Sequence, residues 1–181
     1  MGTHGLYGFI YKGRLYLTYC HYDGYLEGLG INLMREIKHA VETGLIQIWK
    51  QKMETIRIVN ENDDTASDDE IKKLLPWTDV SSYPPNPNGE TKWYWLLHKC
   101  QGSFVRGFES GYLLAKVETN AISNPIDEGL ENDASYVYVL NFDKMEYSIH
   151  YTDNDDDNIV IRTITYDVNN LPDNFMDLTF D

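Results

Sequence analysis

The chain has 181 residues, 42% of them hydrophobic, enough for one domain with its own core and short for two. Its formal net charge of −14 is uneven: residues 1–60 hold seven Lys/Arg against five Asp/Glu, and the remainder holds eight against twenty-four, giving +2 and −16. That balance disfavours direct binding to a nucleic-acid backbone, which needs a basic surface. It suits either plain solubility or a protein partner that is itself basic or nucleic-acid-binding.

No run of about 18 apolar residues marks a membrane span, and the start lacks the basic-then-apolar order of a secretion signal. Myristoylation at Met1-Gly2 would want Ser or Thr at the sixth position, where Leu6 stands. A cytoplasmic setting is expected. Cys20 and Cys100 form no C-x-x-C motif and are expected as free buried thiols.

Residues 6–11 and 15–20 are rich in aromatic and aliphatic side chains around Lys12-Gly13, a tight-turn pair, and so predict a hairpin. With a two-residue loop, Tyr11 opposes Arg14 and His4 opposes His21. One face then carries His4, Leu6, Gly8, Ile10, Leu15, Leu17, Tyr19 and His21; the other carries Thr3, Gly5, Tyr7, Phe9, Arg14, Tyr16, Thr18, Cys20 and Tyr22. Because neither face is polar, both are expected to be covered.

Ile31, Leu33, Met34, Ile37, Ala40 and Val41 fall at helical spacing, with Gly44 as a stop, so a helix is predicted over about 31–43. A second helix follows over 45–53 and a short strand over 56–59. Ser67-Asp68-Asp69-Glu70 matches a capping box, opening a helix that Pro76 ends. Residues 77–89, with the proline-rich stretch 84–89, read as loop. Trp93, Leu96, Leu97, Cys100, Phe104, Val105 and Phe108 recur at three- and four-residue steps, predicting one long helix over 91–110 capped by Gly111. Beyond a loop around 120–133, three strands are predicted at 136–142, 145–151 and 159–166, the last two joined by an acidic tip at 153–158. The expected organisation is a single α+β domain over 1–168 with an acidic tail at 169–181. Its layered antiparallel sheet would consist of the N-terminal hairpin and the C-terminal three-strand meander, with helices inserted between, an order compatible with a four-layer αββα stack.

The open end of the hairpin gathers the candidate site. His4 and His21 lie opposite one another and Asp23 one ladder step beyond, so two imidazoles and a carboxylate converge at the end of an apolar face. Such a set can share a proton or a metal ion, and it is equally readable as ordinary strand-end polar residues. Gly28-Leu29-Gly30 opens a helix and offers backbone N–H groups to an anion or, alternatively, only a tight turn; the third glycine of a dinucleotide fingerprint is replaced by Leu33. Asp153-x-Asp155-x-Asp157 starts like a calcium loop but has Ile164 at the position of the bidentate Glu. No cofactor motif is complete, and no metal ligand set is assigned. His98, Cys100 and Gln101 share no helix face and make no nucleophile pair.

Met1-Gly2-Thr3-His4-Gly5-Leu6, Tyr19-x-His21-x-Asp23-Gly24-Tyr25 and Gly28-x-Gly30 together resemble a widespread group of uncharacterised proteins. Members of that group begin Met-Gly-Thr-Arg-Gly and continue, after a hairpin, with aromatic-Asp-Gly/Ser-Tyr-Pro-x-Gly. Trp93-x-Trp95-Leu96-Leu97, Gln101-Gly102 and 136–143 also resemble segments of it, whereas His4 and Leu26 stand where Arg and Pro are usual. The resemblance implies no activity; Tyr25, Gly28 and Gly30, at the helix start, stand as the candidate ligand-binding positions. A weaker likeness is to N-terminal-nucleophile hydrolases, in which Thr3 and Asp23 would match the nucleophile and the aspartate after the second strand. That resemblance implies an amidase-like reaction at Thr3, and the hairpin-end cluster of His4, His21 and Asp23 is the alternative set of candidate catalytic residues. The chemistry needs a free Thr3 amine as base, and Met1-Gly2 precedes it. Two function classes are therefore expected: a non-enzymatic module binding a basic protein partner, or an amidase-like hydrolase.

Overall fold

The computed structural model describes residues 3–60, 63, 66–81, 84–85, 91–115, 117–120, 134–155 and 158–173. It is an α+β protein. β1 (Gly5–Tyr11) and β2 (Arg14–Cys20) form the expected hairpin, with pairing that runs from Tyr11↔Arg14 to Gly5↔Cys20. The turn is left-handed at both central residues, Lys12 (φ 49°) and Gly13 (φ 71°), which matches the twist of the strands.

A π-helical turn over Leu26–Gly30 leads into α1 (Ile31–Glu42), and Gly44, at φ 76°, separates it from α2 (Leu45–Lys52). β3 (Arg57–Val59) precedes α3 (Asp68–Leu74), whose start has both reciprocal bonds of the Ser67/Glu70 capping box. A 3-10 turn containing Pro76 ends it.

The expected long helix is broken. α4 (Trp93–Leu96) gives way to a 3-10 turn, and α5 (Phe104–Ser110) starts afresh after Gly102, which sits at φ 74°. The break is held by tertiary contacts that a helical periodicity does not reveal. The Tyr7 hydroxyl donates to the Cys100 carbonyl at 3.1 Å and accepts the Gly102 N–H at 3.0 Å. The Glu36 carboxylate of α1 accepts from the Ser103 hydroxyl and from Phe104 N–H at 2.6 and 2.7 Å, capping α5 from outside.

β4 (Tyr112–Leu114) pairs parallel with β3 in a small sheet, and β5 (Val117–Asn120) adds to β2; neither strand is expected from the sequence. β6 (Tyr136–Asn141), β7 (Glu146–Asp155) and β8 (Asn158–Asp167) form the meander. The main sheet has the order β5-β2-β1-β6-β7-β8. It is mixed rather than antiparallel throughout, because β6 docks parallel on the free edge of β1, Gly5 opposite Tyr136. Hairpin and meander thus lie edge to edge in one sheet instead of in two stacked ones, so the αββα expectation is not met.

One face of the sheet, with Tyr7, Phe9, Tyr138, Leu140 and Tyr147, packs against α1, α2 and α5. Phe9 is central: its ring lies 4.8 Å from Phe104, 5.0 Å from Phe108 and 5.6 Å from Phe142. Each such buried ring contributes about 2–3 kcal/mol of transfer free energy. The reverse face, with Leu6, Leu15, Leu17, Val137 and Val139, is buried as well, as the two-sided apolar pattern requires. A satellite cluster surrounds Trp93 and Tyr112, over which the Arg57 guanidinium stacks while pairing with Glu70. Of the expected tail, Leu171 is buried in the main core and Asp173 pairs with Lys38, so the domain continues through residue 173; 174–181 lie outside the described residues. The middle of the acidic tip, 156–157, does so too.

Candidate functional site at the open end of the hairpin

The β1–β2 register carries His4 and His21 to opposite positions, and their rings stack at 4.9 Å with 28° between planes. Tyr19 meets the His4 ring edge-on at 5.4 Å, and its hydroxyl is 3.1 Å from His21 Nδ1. Tyr22 adds a further edge contact to His21 at 4.5 Å and is itself 66% exposed. The result is an aromatic–imidazole cluster at the rim of the sheet, half in solvent.

Asp23 does not join it. The residue leaves the ladder in a left-handed turn (φ 53°), and its carbonyl accepts the Leu29 N–H at 2.8 Å. Its Cβ and the Tyr25 Cε2 both lie within 3.2 Å of the point where a Cβ on Gly28 would stand, so the base of the Asp23 side chain sits over Gly28, near the edge of the Tyr25 ring. Among the described residues no group of three or more His, Cys, Asp or Glu is placed to hold a metal ion. Thr3 has its nitrogen in the peptide bond to Gly2, and its carbonyl accepts the Gly24 N–H at 2.8 Å, closing the turn onto the strand.

The glycines serve close approach. A Cβ at Gly24 would fall 2.4 Å from Gly5 N, one at Gly28 2.5 Å from the Asp23 carbonyl oxygen, and one at Gly30 2.8 Å from Tyr138 Cε1. Their N–H groups are used within the segment: Gly28 and Gly30 both donate to the Tyr25 carbonyl. The Gly28 and Gly30 N–H groups are therefore already engaged rather than left free for an anion. What it does present outward is a sequence of side chains, Tyr22, Asp23, Tyr25 and Glu27, all exposed. Two buried tyrosines overlooked at the sequence level hold this segment from below. The Tyr138 hydroxyl donates to the Gly24 carbonyl at 3.0 Å, and that of Tyr147 reaches the Gly30 carbonyl at 3.5 Å. The alternation of 136–142 put Tyr138 on a sheet face, but its partner lies 114 positions away.

Elsewhere the chemistry is muted. Burial pushes the Cys100 thiol up to about 11 and raises that of Cys20, whose Sγ donates to the Tyr22 carbonyl, so both stay protonated at neutral pH. Burial likewise raises Tyr7, Tyr138 and Tyr147. Between the sheet and α5 a cavity of about 20 Å³, lined by Tyr7, Thr18, Leu97, Gln101 and Tyr112 among others, has room for about one water and none for an organic substrate. Ser148 Oγ lies 2.9 Å from His150 Nε2, a hydroxyl–imidazole contact also missed in the sequence; the other ring nitrogen meets the Thr163 hydroxyl.

Fold and site together define an α+β protein with a mixed sheet, whose hairpin end displays aromatic and carboxylate side chains. No family model matches the chain, and neither a curated protein nor a solved structure is found similar to it. Among the described residues no helix is long and apolar enough to cross a membrane.

Proposed function

We propose that the protein is a non-enzymatic binding module whose hairpin end receives basic side chains of a protein partner. The observation that carries this reading is the pairing of exposed rings with exposed carboxylates on a rigid turn: Tyr22 at 66% and Tyr25 at 38% exposure alternate in sequence with Asp23 and Glu27. A Lys or Arg side chain set between them gains cation–π attraction from the ring faces and Coulomb attraction from the carboxylates. The net charge of −14 draws such a partner in over a longer range. The turn is preorganised by the Gly24 and Leu29 backbone bonds and by Tyr138, so little ordering is required on binding.

The test is titration of a fluorescent Lys/Arg-rich peptide at low and high salt. Binding is expected to weaken with salt, and Tyr22→Ala and Asp23→Asn are each expected to weaken it by about three- to fivefold. Equal binding by both variants and the wild type would remove this surface from the reading. The hydrolase alternative calls for a free Thr3 amine, which intact-mass measurement detects directly as loss of Met1-Gly2.

A further inference from the structure

We infer that β8 is a docking strand, and that an extended basic segment of the partner adds to its outer edge as a further strand of the sheet. The inference rests on the basic-partner reading above and concerns a surface distinct from the hairpin end. β8 is the terminal strand in the order β5-β2-β1-β6-β7-β8 and runs for ten residues, Asn158–Asp167. Edge strands are commonly kept short or blunted by proline, bulges or inward charges, since their unpaired N–H and C=O groups template further pairing. β8 has no proline, and its register against β7 is unbroken from Glu146↔Asp167 to Asp155↔Asn158. Its one blunting device is the charge of Arg162, half-buried on the helix-facing side.

The ladder also outruns the rest of the sheet. β6 pairs with β7 only as far as Tyr136↔Tyr151, so the four pairs from Thr152↔Ile161 to Asp155↔Asn158 project as a two-stranded ribbon. Alternating side chains give the edge two different faces. On the helix side run Val160, which is 37% exposed, then Arg162, Ile164 and Tyr166, all half-buried; on the other side Ile161 is half-buried against the reverse-face cluster, and Thr163 and Thr165 are exposed. An added strand would extend the first stripe with apolar residues and the Thr163 and Thr165 part of the second with polar ones, while its backbone bonds give affinity and its alternate side chains give specificity.

Charge selects the occupant. The ribbon's sequence contains Asp153 and Asp155, Asp167 is exposed at the opposite end of β8, and residues 61–181 carry a net −16. A second copy of the chain would bring another −14 to the same edge, whereas a basic segment is drawn to it, and a Lys or Arg beside Asp167 meets that residue's exposed carboxylate.

The experiment uses the full chain and synthetic peptides of about ten residues, with alternating Val and Thr and lysines at the ends. Two further peptides are N-methylated on one or the other set of alternate amides, which removes donors while leaving side chains and charge unchanged. Hydrogen exchange on the parent complex is expected to slow across the β8 amides. One methylated peptide is expected to lose affinity by at least about tenfold and the other to bind like the parent, since only one set faces the protein. Equal binding by all three peptides, or protection confined to residues 21–27, overturns strand addition while leaving the basic-partner reading intact. No binding of the parent at low salt overturns both. Protection of β8 in a peptide-free dimer overturns the basic occupant in favour of a second copy.

Discussion

Gly24 shows how a single residue commits the hairpin end to its shape. Its backbone is pressed between Thr3, whose carbonyl takes its N–H, and the buried Tyr138 hydroxyl, which binds its carbonyl. A methyl group there would meet backbone on every side, at 2.4 Å from Gly5 N and 2.5 Å from His4 C. Gly24→Ala is therefore expected to cost about 2–3 kcal/mol, read as a lower urea midpoint, and to weaken peptide binding by displacing Tyr22 and Tyr25. Tyr138→Phe keeps the ring and removes the hydroxyl, leaving a buried carbonyl without its partner. A loss of about 1–2 kcal/mol is expected in the same measurement. The His4–His21 pairing was readable from a two-residue turn alone, because strand alternation propagates register without further information. The place of Asp23 was not, since one left-handed residue ends the alternation on which the inference depends.

At the scale of elements, the hairpin, α1, α2, the capped α3 and the meander all follow from local patterns: alternation, helical spacing, a Ser/Glu box, glycine stops. The region 91–110 does not, and the cause is Glu36. Its carboxylate takes the Ser103 hydroxyl and the Phe104 and Val105 N–H groups, so α5 starts where a residue from α1 supplies an acceptor. Glu36→Ala is expected to release the first turn of α5, with faster hydrogen exchange at Phe104 and Val105 and a stability loss of about 1–3 kcal/mol. A similar long-range tie joins the two sheet turns, in which the Asp143 carboxylate accepts the Lys12 and Gly13 N–H groups at 2.8 Å each. Asp143→Ala is expected to loosen the β1–β2 turn, raising its amide exchange while the rest of β1 stays protected.

At the scale of the molecule, burial of thiols and phenols makes stability sensitive to alkali. Both thiols are neutral in native and unfolded chains below about pH 8. As pH rises, the unfolded chain releases thiol protons near the ordinary value, while the native chain holds the Cys100 proton until about 11. The unfolded state is thereby favoured, and stability falls across that window by on the order of 2 kcal/mol from Cys100. Cys20, Tyr7, Tyr138 and Tyr147, also raised by burial, add in the same direction. Urea midpoints measured from pH 8 to 11 should decline, and Cys100→Ala should flatten the part of the decline that begins at the lower end. Sequence by itself determined the α+β class, the β1–β2 register with its two apolar faces, and the meander, because each depends on neighbours within a few positions. Only the tertiary structure decided that β6 joins β1 in parallel, that α5 is separate from α4, and that Asp23 lies beside Tyr25 over Gly28 instead of with the histidines. Those outcomes turn on contacts between residues dozens to more than a hundred positions apart, and on one change of backbone hand, neither of which leaves a periodic trace in the chain.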